Sequence, residues 1–254
     1  MGMTEFEAQQ RIAQDLLSSG LRKGGAVLVH ASLRSMGHVP GGAETVIRGL
    51  LDALGPDGTL LMPALSYTYV NAAHPVFDVL RTPSNIGTIA ETFRTRPGTM
   101  RSVCPTHSVC GVGTQAEHLL KDHHLDESPC GSHSPYRMLR DAGGQILFLG
   151  CGLKPNTSMH GVEELVEPPY LFGPILSYRI ILPDGTETHL NCRRHDFAGY
   201  AQRYDRIGPL LKDDGLKIGT VLAATIHLLE CRTMWEQAQA ALQRDPFFFV
   251  EARQ

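Results

Sequence analysis

Apolar residues along the chain recur with two different periods, and the alternation of these periods predicts an α/β fold. Two short apolar runs, AVLVH (26–30) and TLLMP (59–63), are typical of buried strands. Between them, apolar positions from Ala43 to Leu54 follow a helical period that Gly55 ends. A strand, a helix and a second strand within about 40 residues indicate a βαβ unit, and therefore a parallel sheet with a right-handed crossover.

Further elements extend this pattern towards both ends of the chain. The run QILFLG (145–150) predicts a third buried strand, and RIILPDGTETHLNC (179–192) predicts a hairpin that turns at Pro-Asp-Gly. Predicted helices begin at the capping box Thr4–Glu7, at Ile86, at Ser134-Pro135, near Thr157 and at a second capping box, Thr233–Glu236. We therefore expect a single compact α/β domain over residues 1–254, with a mostly parallel central sheet, flanking helices and an antiparallel hairpin appendage.

The charge balance narrows the class of partner. The chain has a formal net charge of −3 and no run of lysine or arginine, so nucleic-acid or anionic-membrane binding has no electrostatic support. A small acidic excess suits a cationic small molecule, although solubility alone also explains it. Charged residues make up 19%, below the roughly 25% typical of soluble domains, which indicates much buried surface or a covered interface such as that of a homodimer.

The cysteines and the amino-terminal sequence indicate a reducing compartment. The six cysteines form no CxxC pair, MGMTEFEAQQ lacks the basic-then-apolar pattern of a secretory signal, and no apolar run approaches membrane-spanning length. We therefore expect reduced thiols in a cytoplasmic protein that has no membrane partner.

The first candidate site is the segment VHASLRSMGHVPGG (29–42). His30 ends a predicted strand, and residues at the carboxyl ends of parallel strands line the crevice of an open α/β sheet. Ser32, Ser35 and Gly37 follow just before a helix, where small hydroxyls and bare backbone suit a phosphate- or amide-rich ligand. The alternative is a plain strand-to-helix turn with a packed histidine, and the segment alone favours that alternative.

The second candidate is GCGLKPNTSMHGVEE (150–164), which follows another predicted strand. A helix beginning near Thr157 would place His160 in its first turn, with Glu163 three and Glu164 four residues further on. A helix amino terminus disfavours the imidazolium whereas a carboxylate favours it, so His160 could stay neutral yet basic, as a general base requires. The alternative is a surface helix in which the His-x-x-Glu spacing arose by chance.

A third segment, RSVCPTHSVCGVG (101–113), contains Cys104, His107 and Cys110 at a spacing that suggests zinc. A structural zinc site needs a fourth ligand and usually a second spaced pair, so a buried strand with core cysteines is the preferred interpretation. We expect no functional metal. The sequence also has no GxxxxGK(S/T) loop, no GxSxG elbow and no complete GxGxxG, which argues against nucleotide-binding and serine-hydrolase functions.

Seven segments, taken in order along the chain, resemble the aminoglycoside 3-N-acetyltransferase family, whose members do not share the common GNAT fold. The matching segments are LVHASLRSMGHVPGG, GPDGTLLMPALSY, FDVLRTPSNIGTIAETFR, RSVCPTHSVCGVG, SPYRMLRDAGGQILFLG, NTSMHGVEELVEPPY and RDPFFFV, and they span roughly residues 25 to 250. Seven segments in one order are much more specific than any single motif. The resemblance implies transfer of an acetyl group from the cosubstrate acetyl-CoA to an amine of the deoxystreptamine ring of aminoglycosides, which are polycationic small molecules.

The resemblance also implies roles for individual residues. His160 matches the family's catalytic base and Glu163 its carboxylate partner, and the implied route is direct transfer in a ternary complex without an acyl-enzyme. His30 would orient the substrate or the thioester. The residues implied for acetyl-CoA binding, besides His30, are Ser32, Leu33, Ser35, Gly37, Arg101, Ser102 and Ser108. The residues expected in an acidic substrate cleft are Tyr67, Asp78, Glu163, Glu164 and Glu167.

Three other functions stay open. The enzyme could acetylate a different amine in a biosynthetic pathway, the chain could be a CoA-binding module that has lost transfer activity, or Cys104, His107 and Cys110 could hold zinc in a metalloenzyme. The presence of His160 argues against a decayed module. Acetyl-CoA turnover with a panel of amines separates the first two from the main prediction, and metal analysis separates the third.

Overall fold

The structure is a computed structural model that describes residues 2–212 and 215–253. Its helices are α1 (Glu5–Ser18), α2 (Gly42–Leu54), α3 (Thr88–Thr95), α4 (Ala116–Leu120), α5 (Pro135–Asp141), α6 (Ser158–Val166) and α7 (Cys231–Arg244). Its strands are β1 (Ala26–Ala31), β2 (Thr59–Pro63), β3 (Val76–Asp78), β4 (Met100–Arg101), β5 (Val109–Gly113), β6 (Gln145–Leu149), β7 (Phe172–Ile181), β8 (Glu187–His195), β9 (Tyr200–Gln202), β10 (Leu216–Val221), β11 (Ala224–Glu230) and β12 (Val250–Ala252). Short 3-10 helices cover Leu33–Met36, His123–Leu125, Phe197–Gly199 and Tyr204–Leu210. None of these described helices is long and apolar enough to cross a membrane.

A seven-stranded sheet with the order β10-β11-β6-β1-β2-β5-β4 forms the centre of the fold. β1 pairs in parallel with β2 and with β6, which is the predicted βαβ arrangement. The strands outside these three pair antiparallel, β11 with β6 and β5 with β2. The expected α/β class, with a parallel centre and flanking helices, is confirmed. The direction of the flanking strands is additional information, because a short apolar run does not reveal the direction of its partner.

Helices cover both faces of this sheet, which explains why its strands are continuous apolar runs rather than alternating ones. In β6, Leu147 and Leu149 pack into the layer of α1, α2 and α3, whereas Ile146 and Phe148 pack into the layer of α4 to α7. The side chains of β1 alternate in the same way. His30 therefore lies on the same face of the sheet as α6.

The predicted hairpin is confirmed as β7 and β8, which pair antiparallel across the Pro-Asp-Gly turn. The hairpin is longer than the sequence pattern indicates, and β3 pairs in parallel with β7 to make a three-stranded sheet. β9 and β12 form a separate two-stranded ribbon. The hairpin matters for the site because β8 ends at His195, next to α6.

The two predicted capping boxes have different outcomes. The one at the start of α1 is confirmed, because the Glu7 amide donates to the Thr4 hydroxyl and the Glu7 carboxylate accepts from the Thr4 amide. The one at Thr233–Glu236 is wrong. α7 begins at Cys231, directly after β11, where the Cys231 amide donates to the Gly144 carbonyl and no side chain caps the helix.

Candidate active site

The carboxyl ends of β1 and β2 and the loop after β6 surround a cleft of about 550 Å³. This is the crevice position at which an open α/β sheet binds ligands. The loop between β6 and α6 forms one wall, α3 forms another, and residues after β8 and near the carboxyl terminus complete it. Histidines and tyrosines supply most of its polar groups, namely His30, Tyr67, His107, His160, His195 and Tyr204.

His160 lies in the first turn of α6 and is held by buried polar side chains. Its Nδ1 is 2.9 Å from the Tyr204 hydroxyl and 3.4 Å from Oε2 of Glu163. Tyr204 donates to that same carboxylate oxygen at 2.7 Å, and Tyr170 donates to the other oxygen at 2.9 Å. Because oxygen acceptors surround Nδ1, we assign the ring proton to that atom. The lone pair on Nε2 then faces the cleft and is placed to accept a proton.

The partners of His160 are protected from water. Glu163 is fully buried, and its two oxygens receive the two tyrosine hydroxyls. Burial, reinforced by the charge of Glu163, raises the pKa of Tyr204 well above its usual value. The Tyr204 hydroxyl therefore remains a donor to Glu163 and an acceptor for the Nδ1 proton of His160. The network fixes both the orientation and the tautomer of the imidazole.

His30 occupies another part of the same cleft but has different surroundings. Its ring stacks on Phe148 with centroids 4.9 Å apart, and its Nε2 lies 3.4 Å from the Thr157 hydroxyl. Burial, and then the nearby His160, lowers the pKa of His30 to about 3. No carboxylate in the described ranges forms a hydrogen bond with it. His30 is therefore a neutral polar group suited to orienting a ligand.

Two further histidines pack against His160. The ring centroids of His107, His160 and His195 lie 5.1 to 5.2 Å from one another. His107 Nδ1 is 2.8 Å from the Thr106 hydroxyl, and His195 Nε2 is 2.7 Å from Glu164. Burial, followed by the neighbouring imidazoles, lowers the pKa of His107 and His195 well below the ordinary histidine value. Both rings are therefore neutral near pH 7.

Cys104 and Cys110 lie apart from these histidines. The Cys104 thiol faces the Pro129 carbonyl at 4.0 Å, and Cys110 packs in the apolar layer of α2 and α3. Burial raises the pKa of each thiol to about 12. The two sulfur atoms therefore do not join His107 in a metal site, and the preferred interpretation of these cysteines as core residues fits their positions.

The residues after β1 that were expected to bind acetyl-CoA form a tight turn beside the cleft. The Ser35 hydroxyl donates to the Ser32 hydroxyl at 2.9 Å, and Gly37 ends the turn with a φ of 77° that favours glycine. Leu33 packs against the apolar layer around α2. The cleft is lined by Ala31, the last residue of β1, and not by Ser32, Leu33, Ser35 or Gly37. Contact of the other residues with acetyl-CoA stays a prediction.

Arg101, Ser102 and Ser108 brace loops of the protein. The acceptors of the Arg101 guanidinium are the Ser108 hydroxyl and three loop carbonyls, those of Ala64, Val79 and Thr82. Burial lowers the pKa of Arg101 to about 10, so it remains charged. The Ser102 hydroxyl accepts from the Val109 amide at 2.9 Å. Their predicted contact with CoA stays a prediction, since the structure gives these groups internal partners.

The four carboxylates expected in an acidic cleft also have internal partners. Glu163 and Glu164 are buried behind the histidines, and burial raises the pKa of Glu164. Asp78 accepts from two backbone amides in the turn that follows β3. Glu167 lies at the carboxyl end of α6, where its side chain is 3.4 Å from Arg193. Direct contact of these carboxylates with a substrate stays a prediction.

The wall of the cleft has a different charge from the one that was expected. Among the described residues, none of the side chains that line it is a carboxylate. Lys154 and Arg253 line it, and Tyr67 lies on its wall. Four residues that line the cleft were not predicted from the sequence, namely Lys154, His195, Tyr204 and Arg253. Lys154 lies in the second candidate segment but was not singled out there, and the other three are too far along the chain from His160 for a local spacing to connect them.

The arrangement can remove a proton from a nucleophile bound in the cleft. His160 provides a base that is oriented by Tyr204 and Glu163. The thiol that lines the cleft, Cys151, has its pKa raised by burial to about 12, so it stays protonated and is a poor nucleophile. This chemistry favours attack by the bound nucleophile itself over a covalent enzyme intermediate.

Known proteins are similar to this chain in sequence and in fold. The family model for aminoglycoside 3-N-acetyltransferase matches residues 28–243. The chain is similar to aminoglycoside N(3)-acetyltransferase VII of Streptomyces paromomycinus, with 30% identity over 285 residues and 93% coverage of each chain. It is similar in structure to a mutant of aminoglycoside acetyltransferase AAC(3)-IVa in complex with a gentamicin, with a TM-score of 0.82, 30% identity and coverage of 98% of this chain and 92% of that one. It is also similar to AAC-IIIb in a binary complex with CoASH, with a TM-score of 0.80, 27% identity and coverage of 95% and 96%.

Proposed function

Because the chain belongs to the aminoglycoside 3-N-acetyltransferase family, we propose that it transfers the acetyl group of acetyl-CoA to the 3-amine of the deoxystreptamine ring of an aminoglycoside. The observation that carries the proposal is the base: His160 presents Nε2 to the cleft while Tyr204 and Glu163 hold its other nitrogen. Two members of the family, which are 30% and 32% identical to this chain, are named aminoglycoside N(3)-acetyltransferases. The proposed acetyl transfer contains no step that involves a metal ion.

The proposed transfer is a single displacement in a ternary complex. The acceptor nitrogen attacks the thioester carbonyl, so that a carbon–nitrogen bond forms and the carbon–sulfur bond of acetyl-CoA breaks. His160 Nε2 takes the proton that the nitrogen must lose and can return it to the departing CoA thiolate. The products are an acetamide and CoA thiol. The protonated state of Cys151 supports this route over an acyl-enzyme.

The other side chains have supporting roles in this proposal. Glu163 and Tyr204 are positioning residues, since they act on the acceptor through His160. His30 orients the acceptor or the thioester as a neutral hydrogen-bonding group. The pantetheine arm of acetyl-CoA lies beside the turn at residues 31–37, and small residues there allow a close approach of the ligand.

A second candidate acceptor is a different amine, with fewer positive charges, from a biosynthetic pathway. The observation that favours it is the cleft wall, where Lys154 and Arg253 stand and the described residues contribute no carboxylate. An aminoglycoside carries several ammonium groups, which two nearby cations would repel. An acceptor that also bears an anionic group would be attracted by them.

Acetyl-CoA consumption with a panel of amines tests the proposal. The panel holds aminoglycosides with and without a deoxystreptamine ring, and amino sugars that bear one amine with or without a phosphate or carboxylate. The proposal predicts turnover with deoxystreptamine aminoglycosides and a product acetylated at the 3-amine, which nuclear magnetic resonance locates. Turnover only with the amino sugars that bear one amine would favour the second candidate, and no turnover with any amine would contradict both.

Charge variants at the cleft then separate the two acceptors. Lys154→Gln and Arg253→Gln remove the two cations, and Lys121→Gln, exposed at the end of α4, is the matched control. For a polycationic acceptor, both cleft variants should lower KM, because the two cations repel the acceptor. Added salt should screen this repulsion and therefore lower the KM of the parent protein. For an anionic acceptor, both should raise KM. The control should leave KM unchanged in either case.

A further inference from the structure

We propose that His107, His160 and His195 bind one divalent transition-metal ion of the zinc type, and that this ion inhibits transfer by occupying the nitrogen that accepts the proton. Each histidine offers one ring nitrogen, and these three nitrogens all lie within 4.8 Å of one another. Zinc–nitrogen bonds of about 2.0–2.1 Å in a tetrahedron place the nitrogens about 3.4 Å apart. Each ring would have to move by less than about 1 Å, which side-chain rotation can provide.

The hydrogen bonds around the three rings already resemble those of metal ligands. A metal-binding histidine usually donates its other ring N–H to a carboxylate or a neighbouring oxygen, which fixes the tautomer. Here His160 Nδ1 is held by Tyr204 and Glu163, His195 Nε2 by Glu164, and His107 Nδ1 by the adjacent Thr106 hydroxyl. In each ring one nitrogen is therefore engaged by an oxygen and the other is left over.

The nitrogens that are left over are His107 Nε2, His160 Nε2 and His195 Nδ1. His195 Nδ1 is buried and has no hydrogen-bond partner in the part of the chain that the structure describes. With the ring proton of each histidine placed on the nitrogen that meets an oxygen, the three remaining nitrogens are all acceptors that carry lone pairs. Lone pairs gathered in one small space repel one another unless a cation or a donor lies between them. A buried acceptor without a partner is costly, and a metal ion would satisfy all three at once.

The chemistry of the ligands selects the type of ion. Neutral imidazoles suit zinc, copper, nickel and cobalt, whereas magnesium and calcium require oxygen ligands. Burial keeps His107 and His195 neutral, as metal ligands must be. Three protein ligands leave a fourth position open, and all three rings line the cleft, so a water molecule or a ligand group could take it.

The same space is where an attacking amine would meet His160. An ion bound through His160 Nε2 prevents that atom from accepting a proton, so metal and acceptor should exclude one another. The competition rests on the proposed function, whereas the binding of the ion does not. The ion is an inhibitor in this proposal, and the transfer reaction itself is expected to proceed in protein stripped of metal.

Metal titration of chelator-washed protein, without acetyl-CoA or acceptor, tests the binding. Zn²⁺ is titrated in competition with a chromophoric chelator, and Co²⁺ binding is followed by its visible absorption. Mg²⁺ serves as the negative control. We expect one Zn²⁺ per chain, a Co²⁺ spectrum typical of four-coordination, and no Mg²⁺ binding. Failure to bind Zn²⁺ with this stoichiometry would overturn the proposal, whatever the protein does with amines.

Variants identify the ligands. His107→Ala and His195→Ala should each lose the site, and Glu164→Gln should weaken Zn²⁺ binding by about 10–100-fold, the usual effect of changing the group behind a ligand. His118→Ala, which removes an exposed histidine on α4, is the matched control and should bind as the parent does. Circular dichroism checks that each variant is folded. If the folded His107→Ala and His195→Ala proteins bind Zn²⁺ like the control, the assignment is wrong.

Discussion

Replacing Tyr204 by phenylalanine isolates the hydroxyl that joins His160 to Glu163. The ring packs beside the imidazole with centroids 5.4 Å apart, and phenylalanine preserves that packing. The hydroxyl lies 2.9 Å from His160 Nδ1 and 2.7 Å from Glu163. Without it, Nδ1 keeps only the 3.4 Å contact with Glu163, which is longer than an ordinary N–H···O hydrogen bond. The imidazole would lose its main acceptor and part of its orientation.

The size of the effect follows from the charge of Glu163. A hydrogen bond to a charged group contributes about 1.5–3 kcal/mol. If all of this is lost in the transition state, kcat falls by about 10–150-fold, since about 1.36 kcal/mol corresponds to about tenfold in rate. The unfolding free energy should fall by a similar amount. KM for acetyl-CoA should not change, because the hydroxyl lies behind the base.

Steady-state turnover at saturating acetyl-CoA measures the loss, and urea denaturation measures stability. Tyr200→Phe is the matched control, because the Tyr200 hydroxyl forms no hydrogen bond with any described residue although its ring packs on Tyr170. The control should keep the parent kcat. If Tyr204→Phe loses stability but turns over within about twofold of the parent, the hydroxyl serves the fold alone and the orientation argument is refuted.

Two further changes test other parts of the structure. In Gly161→Ala the new Cβ would collide with the Trp235 ring. Such overpacking should lower the free energy of unfolding, measured in urea, by about 1–3 kcal/mol, and it should slow turnover by shifting His160. Unchanged stability would show that α6 and α7 can separate freely. His30 has a pKa of about 3 in the folded chain against an ordinary value of 6.5, so the unfolded chain binds the proton first and stability falls as pH drops below about 6.5. Between about pH 7.5 and about pH 5 this group should account for about 2 kcal/mol of lost stability, which His30→Asn should abolish; an identical pH profile in the variant would contradict the buried, neutral His30.

Local periodicity was enough to predict the centre of the fold. β1, β2, β6 and α2 follow from apolar runs and from a glycine stop, because both depend on neighbouring residues only. The start of α7 was predicted wrongly because a Ser/Thr-x-x-Glu pattern is common. There the chain enters the helix directly from β11, and a backbone contact with Gly144 takes the place of a cap.

The site could be predicted only in part, for the same physical reason. His160 and Glu163 share one helix face, so their spacing was visible along the sequence. Tyr204 is 44 residues beyond His160, and His195 is 31 residues beyond Glu164. The β7–β8 hairpin brings His195 back to the cleft, the 3-10 helix Tyr204–Leu210 brings Tyr204 back, and no local pattern encodes either return. Of the carboxylates expected in the substrate cleft, Glu163 contacts His160 and Glu164 contacts His195, and the contact of these carboxylates with a substrate stays a prediction.

The most direct test of the account compares His160→Ala with His30→Ala in acetyl-CoA turnover and in CoA binding. We expect His160→Ala to lower turnover by about 10²–10⁴-fold, the span of a positioned general base, and to leave CoA affinity intact. His30→Ala should keep more activity, because His30 has only the Thr157 hydroxyl within hydrogen-bond reach and no oriented carboxylate among the described residues. If His160→Ala retains near-normal turnover while His30→Ala is inactive, the base has been assigned to the wrong histidine.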